Sequence, residues 1–223
     1  FSSYLQKMGE TLLRHCGITK RLSLTILPTG IAPGWTDGKK EYLVPENTIT
    51  EAYNDIYAKF TALLGIHFHE IAHIIYCDFA EEQKAIDKIK AGEFYGELPV
   101  PKTQAEVDAL TEMKDALQNS AYRPLFQQIF NDVTNTIDDP HDEGKIIDEF
   151  GGIVEKGIAT SREALFRSFD YAENILANDK ATKLQKLYAL MLEFARFEDV
   201  FARDLEQCVC DNDIMKMVID MAK

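Results

Sequence analysis

The chain has 223 residues, enough for one large domain or two small ones with a real apolar core, and its composition (46% hydrophobic, 27% charged) is that of an ordinary globular protein. Its 24 basic residues against 37 acidic ones give a net charge of −13, which argues against nucleic acid as the main partner, since phosphate binding needs clustered Lys and Arg. No run of 18 apolar residues and no signal peptide is present, and four cysteines without a disulfide-like spacing (Cys16, Cys77, Cys208, Cys210) point to a reducing, cytoplasmic setting without membrane contact.

Residues 2 to 16 carry Leu5, Met8, Leu12 and Leu13 at helical spacing, and Gly17 is a fitting stop. Residues 21 to 27 then alternate (Leu22, Leu24, Ile26), the period of a half-buried strand. A turn-rich connection, PTGIAPGWTDGKK, leads to a second short strand, EYLV, so a hairpin or small sheet is expected. Trp35 falls in the loop and is read as covering the edge of the core. One long helix is expected over 48 to 79, with a capping box from Thr48 and Glu51. Its apolar positions merge into a nearly all-round apolar segment at 62 to 76, the mark of a buried helix.

Residues 80 to 120 read as two polar helices separated by a loop with Pro99 and Pro101. Residues 121 to 150 combine a helical stripe (Leu125, Ile129, Phe130, Val133, Ile137) with many acids, including Asp138, Asp139, Asp142 and Glu143. That crowding repels unless it is solvated or shares a cation, and Asp139 before Pro140 could also cap a new helix. Further helices are expected over 151 to 223, with Thr160 or Ser161 as a cap and a stripe of Leu187, Leu190, Met191, Phe194, Phe197 and Phe201. The expected fold is α+β and mostly helical, a small sheet packed on a long buried helix. Residues 1–150 form the main domain and 151–223 a helical subdomain packed on it.

The buried helix carries the chemistry. His69-Glu70-Ile71-Ala72-His73 is an H-E-x-x-H motif. Residues four apart share a helix face, so His69 and His73 can offer two imidazole nitrogens to one Zn2+, and Glu70 is placed to take a proton from water. Two polar rings in so apolar a segment must find partners. His67, on the apolar stripe, is read as a hydrogen-bonded core histidine, and Cys77 as a small core residue. The sequence after His73 (IIYCDFAEE) lacks a G-x-x-H continuation, so a carboxylate on the acidic helix is the natural third ligand: Asp139, or Asp138, with Glu143, Asp142 or His141 as further alternatives. Glu143 and Asn135, each four residues from Asp139, are candidates to support it. His141 and Tyr76 are candidate donors to a developing oxyanion, and the strand at 40 to 44 is a candidate edge for an extended peptide.

The run GIHFHEIAHIIYCDF resembles the motif helix of phage and bacterial metallopeptidase domains of the zincin type (gluzincin-like) that often precede a von Willebrand-type domain and are related to the cobaltochelatase-subunit-like group. That family carries a downstream N-x-x-E-D-x-R-x-x-E helix. Here Asn135 and Asp139 match, Asp138 stands for the Glu, His141 for the Arg, and Glu143 falls one position early. PGWTDGK resembles the strand and loop before the motif helix, and the likeness covers roughly residues 20 to 150. It implies a zincin-like fold, a zinc hydrolase acting on peptide or protein substrates, and a further domain following the chain. Two alternatives stay open: a zincin-fold domain that binds metal without turnover in a structural or regulatory role, and a helical interaction protein whose motif is accidental.

Overall fold

The computed structural model describes residues 2–168, 174–175 and 177–196. Among them are eight helices and one three-stranded sheet: α1 (Ser2–His15), β1 (Ser23–Ile26), β2 (Gly34–Thr36), β3 (Lys40–Leu43), α2 (Thr48–Glu51), α3 (Ile56–Tyr76), α4 (Phe79–Ala91), α5 (Gln104–Gln118), α6 (Arg123–Phe150), α7 (Gly152–Ser168) and α8 (Lys183–Arg196). The fold is α+β and mostly helical, with the small sheet packed on α3 as expected. The described residues form two compact units. One comprises the chain up to Cys77 together with the chain from Thr136 onward; the other is Asp78–Asn135.

In the first unit α3 is the centre of the core. Leu63, Leu64, Ile66, Phe68, Ile71 and Ile74 are buried on it, joined by Leu5 and Leu13 of α1, Leu22, Leu43, and Val154 and Ile158 of α7. α1 meets α3 through Gly9, where a Cβ would lie 2.7 Å from Leu22 and 2.8 Å from Ile71. α7 runs along α3 at a closer approach still: a Cβ on Gly65 would lie 2.1 Å from the Gly157 carbonyl oxygen. Ser161 does not cap a helix, because α7 is continuous from Gly152 to Ser168; the Ser161 hydroxyl donates to the Ile158 carbonyl instead. The start of α7 is set by Gly151 and Gly152, both at positive φ. Phe197 and Phe201 of the expected C-terminal stripe, with Cys208 and Cys210, lie outside the described residues; Leu190 is fully buried.

The sheet order is β1-β3-β2. β1 pairs with β3 in parallel (Ser23↔Lys40 to Ile26↔Leu43), so the two strands legible in the sequence are not a hairpin. The hairpin is formed by β2 and β3 (Gly34↔Leu43 to Thr36↔Glu41), turning at Asp37-Gly38 with Gly38 at φ 77°. Asp37 accepts from the Lys39 and Lys40 amides, an Asx-type turn in which glycine supplies the positive φ. Trp35 therefore sits in a strand, stacked on Tyr42 with ring centroids 5.0 Å apart.

The expected helix over 48 to 79 is two helices. Asn47, not Thr48, caps α2, accepting from the Ile49 and Thr50 amides while Thr50 completes the box. Asp55 then caps α3 through the Ala58 amide. Asp55 takes an extended conformation, and the helix expected from 48 is therefore broken between Glu51 and Ile56. α6 differs the other way: it passes through Pro140 without a break, although the ring has no N–H for the helical ladder.

In the second unit α4 starts at Asp78, which accepts from the Ala80 and Glu81 amides, and ends at Gly92 in the left-handed region. Thr103 caps α5. Arg123 ties the helix ends of this unit together by donating to the carbonyls of Lys90 (2.8 Å), Leu117 (3.1 Å) and Gln118 (3.1 Å). No single helix among the described residues is long and apolar enough to cross a membrane.

Candidate metal centre

His69 and His73 lie one turn apart on α3, both with polar ring atoms turned out of the apolar core toward α6. Their Nε2 atoms are 3.0 Å apart. Asp139, buried on α6, brings Oδ1 to 3.2 Å from His73 Nε2 and 3.8 Å from His69 Nε2. These three atoms form a group that could hold a metal ion. A tetrahedral ion with ligand bonds of ~2.0–2.1 Å separates its ligand atoms by about 3.3 Å, and the three observed separations straddle that value. The donor set of two imidazoles and one carboxylate suits Zn2+ and leaves a coordination position open.

The outer nitrogens are equally constrained. His69 Nδ1 donates to Glu143 Oε1 at 2.8 Å, and Glu143 Oε2 accepts a short bond from Arg162 Nε of α7. His73 Nδ1 donates to Asp142 Oδ2 at 3.2 Å, and that oxygen also accepts the Cys77 thiol at 3.0 Å. A carboxylate can only accept, so each ring carries a proton on Nδ1 and turns Nε2 toward Asp139, the nitrogen that would ligate a metal once any proton on it is displaced.

Electrostatics favour a cation here. Burial alone would lower the His73 imidazole, but hydrogen bonds with Asp139, Asp142 and Cys77 outweigh it and push it up to about 12. His69 is also raised: burial opposes, while the Glu143 bond and the Glu70, Asp139 and Glu143 charges prevail. Glu143 and Asp142 are both lowered because, against burial, they accept from these histidines. In the metal-free protein the positive charge the carboxylates demand is a proton, which a metal ion would displace.

Glu70 follows His69 on α3. It is buried, and desolvation pushes its carboxyl up to about 7 although His69 and His73 pull it down. It lines a cleft of about 210 Å³ with His69, Asp139, Glu143 and Arg162, whose apolar walls are Pro33, Ile49, Ile66 and Leu165. Gly34 of β2 also lines it; a Cβ there would lie 3.1 Å from Glu70 Oε1.

Of the other sequence-derived residues, Asp138 is half-buried and its carboxyl is raised by burial and by Asp142, but it is not among the three converging atoms. Glu143 and Asp142 support the histidines rather than completing the group, and Asn135 is exposed. Cys77 is half-buried and bonded to Asp142, its thiol pushed up to about 11 by burial. His141 is exposed and donates to Asp142 Oδ1, and the Tyr76 hydroxyl donates to Glu149; neither lines the cleft. The strand at 40 to 44 is the inner strand, β3, so it offers no free edge; β2 is the edge strand that borders the cleft. His67 is fully buried and bonded to Glu41 Oε1 at 2.6 Å, as a core histidine. Nothing local in the sequence marks Arg162 as part of this cluster. The arginine lies 19 residues past Glu143 on another helix, in a segment that reads as an ordinary amphipathic surface.

Comparison with protein-family models, with curated proteins and with solved structures gave no match.

Proposed function

We propose that the protein is a zinc-dependent metallopeptidase of zincin type, with His69, His73 and Asp139 as ligands and Glu70 as general base. The observation that carries this reading is the convergence of the two Nε2 atoms and Asp139 Oδ1 beside a buried Glu70. A zinc ion held there would supply an acidified water and a polarised carbonyl.

The chain's own residues supply the rest. Glu70, raised to about 7 by desolvation, has the affinity to take a proton near neutral pH and return it to a leaving amine. Glu143 and Asp142 hold the ligand rings in one tautomer, so the ligand lone pairs need no reorganisation. The outer edge of β2 offers backbone groups to an extended peptide, and Ile49, Ile66 and Leu165 give one of its side chains an apolar wall.

The test is made on purified protein loaded with zinc. Wild type holds about one equivalent and cleaves unfolded casein, and a chelator stops the cleavage. Glu70→Gln keeps the zinc and loses cleavage. Peptidase activity surviving in that variant would falsify the role of Glu70. Zinc bound by wild type with no cleavage of any unfolded substrate favours the metal-binding domain without turnover. Less than about half an equivalent after metal-replete purification removes the metal site itself.

A further inference from the structure

Arg162 stands out because it belongs to none of the elements that carry ligands. Its Nε donates a short bond to Glu143 Oε2, and Glu143 Oε1 accepts from His69 Nδ1 at 2.8 Å. The chain Arg162–Glu143–His69 thus links α7, α6 and α3 in two consecutive charge-assisted contacts. The Glu143 side chain is 8% exposed, so without a cation its carboxylate would be buried with a single donor from His69. Arg162, 36% exposed, keeps water contact while meeting that need, and it lines the same cleft as Glu70 and Asp139. Among the described residues lining that cleft it is the only Lys or Arg.

The position of Arg162 is set by helix packing rather than by the loop it follows. Gly157 and Gly65 bring the backbones of α7 and α3 together. Arg162 follows Gly157 by five residues on the same helix, and its guanidinium reaches Glu143.

We propose that Arg162 is a positioning residue of the metal site: by holding Glu143, it fixes His69 with Nε2 turned toward His73 and Asp139, and so sets metal affinity through contacts that touch no ligand atom. This rests on the metal-site reading above. Arg162 acts only through Glu143, so its effect vanishes when Glu143 can no longer hold the ring. It also makes the site depend on α7, which supplies no ligand.

The experiment measures zinc affinity of the full chain by competition with a chromophoric chelator, in wild type, Arg162→Gln, Arg162→Lys, Glu143→Gln and the Arg162→Gln/Glu143→Gln double variant. Arg162→Gln is expected to weaken zinc binding about 10-fold or more, within the range for lost outer-shell partners. Arg162→Lys keeps the charge without the fork and recovers part of that loss. The double variant binds no more weakly than Glu143→Gln alone, the non-additivity that a chain of contacts requires. A merely structural arginine would lower the unfolding temperature of the metal-free protein while leaving the two losses additive. Arg162→Gln within threefold of wild type, or additive losses, overturns the proposal while leaving the metal site standing. Should Arg162→Gln fail to fold, Arg162→Lys with wild-type affinity overturns it equally. Wild type that binds no zinc overturns the metal-site reading and this inference together.

Discussion

Gly34 shows how tightly Glu70 is framed. A Cβ at that position would lie 2.7 Å from Ile66 Cγ2 and 3.1 Å from Glu70 Oε1, so a methyl group must displace one or both. None of His69, His73 and Asp139 contributes any of the three nearest atoms such a Cβ would meet. Gly34→Ala is therefore expected to retain its zinc while cleavage of casein falls about 10-fold or more, since reacting groups displaced by a fraction of an ångström lose rate steeply. Zinc content and kcat/KM measured on the same sample check this; an unchanged kcat/KM would show that Glu70 has room to spare. At the same scale, Glu41 and His67 form a fully buried pair in which Glu41 Oε2 and His67 Nε2 have no hydrogen-bond partner. Breaking such a pair typically costs ~3–5 kcal/mol, because one polar group is left buried alone, whereas replacing both partners with apolar groups is often neutral or better. Urea denaturation should therefore find His67→Leu strongly destabilised, and Glu41→Met/His67→Leu close to wild type. A double variant as unstable as the single would mean that the pair does more than fill the core.

What the sequence disclosed and what it concealed divide at the level of elements. The H-E-x-x-H helix was legible because the apolar stripe, the i, i+4 histidines and their burial are all local. Asp139 was legible as one of several carboxylates, since periodicity placed it on the right helix but could not choose among neighbours one residue apart; the backbone path through Pro140 made the choice. β2 was hidden because three residues between Pro33 and the Asp37-Gly38 turn are too few to show an alternation, and with it went the parallel pairing of β1 and β3. The break between α2 and α3 lay at the Asp55 cap, a single polar residue ahead of the apolar stripe that begins at Ile56. The α3–α7 crossing was invisible because two isolated glycines, Gly65 and Gly157, say nothing of each other until the helices are packed. In a free helix Gly65→Ala would gain about 1 kcal/mol of propensity. Here the new methyl would meet the Gly157 carbonyl at 2.1 Å and Ser161 Oγ at 2.6 Å. A backbone carbonyl cannot rotate aside, so the cost belongs at the upper end of overpacking, about 3 kcal/mol. The clash outweighs the propensity gain, and Gly65→Ala is expected to be destabilised by about 2 kcal/mol in chemical denaturation; a stabilised variant would refute the close crossing.

For the whole molecule the candidate metal site ties stability to pH and, if it holds the proposed ion, to metal. In the metal-free protein His73 reaches about 12, because its hydrogen bonds to Asp139, Asp142 and Cys77 outweigh burial. The unfolded imidazole titrates near 6.5. A pKa raised on folding means that the native state binds the proton more tightly, so this stabilisation is full below about pH 6.5 and is lost progressively as pH rises toward the folded value. Glu70, raised to about 7 chiefly by burial, adds a loss of the same sign between the ordinary Glu range and pH 7. Glu143 and Asp142, lowered, act oppositely: their stabilisation is present above the ordinary carboxylate range and is lost as acid brings the solution through their depressed values. Between about pH 6.5 and 9 only the histidine loss operates in full, and a metal ion would remove it by taking the place of the proton. The unfolding temperature of chelated protein should therefore fall across that window, while that of zinc-loaded protein stays level or rises, so that the gap between them widens with pH. Calorimetry at pH 6.5, 7.5 and 9, with chelator and with one equivalent of zinc, measures that gap directly. Parallel curves would mean that no proton is exchanged for metal at His73, and the coupling of the acidic helix to the histidine helix would have to be sought in packing alone.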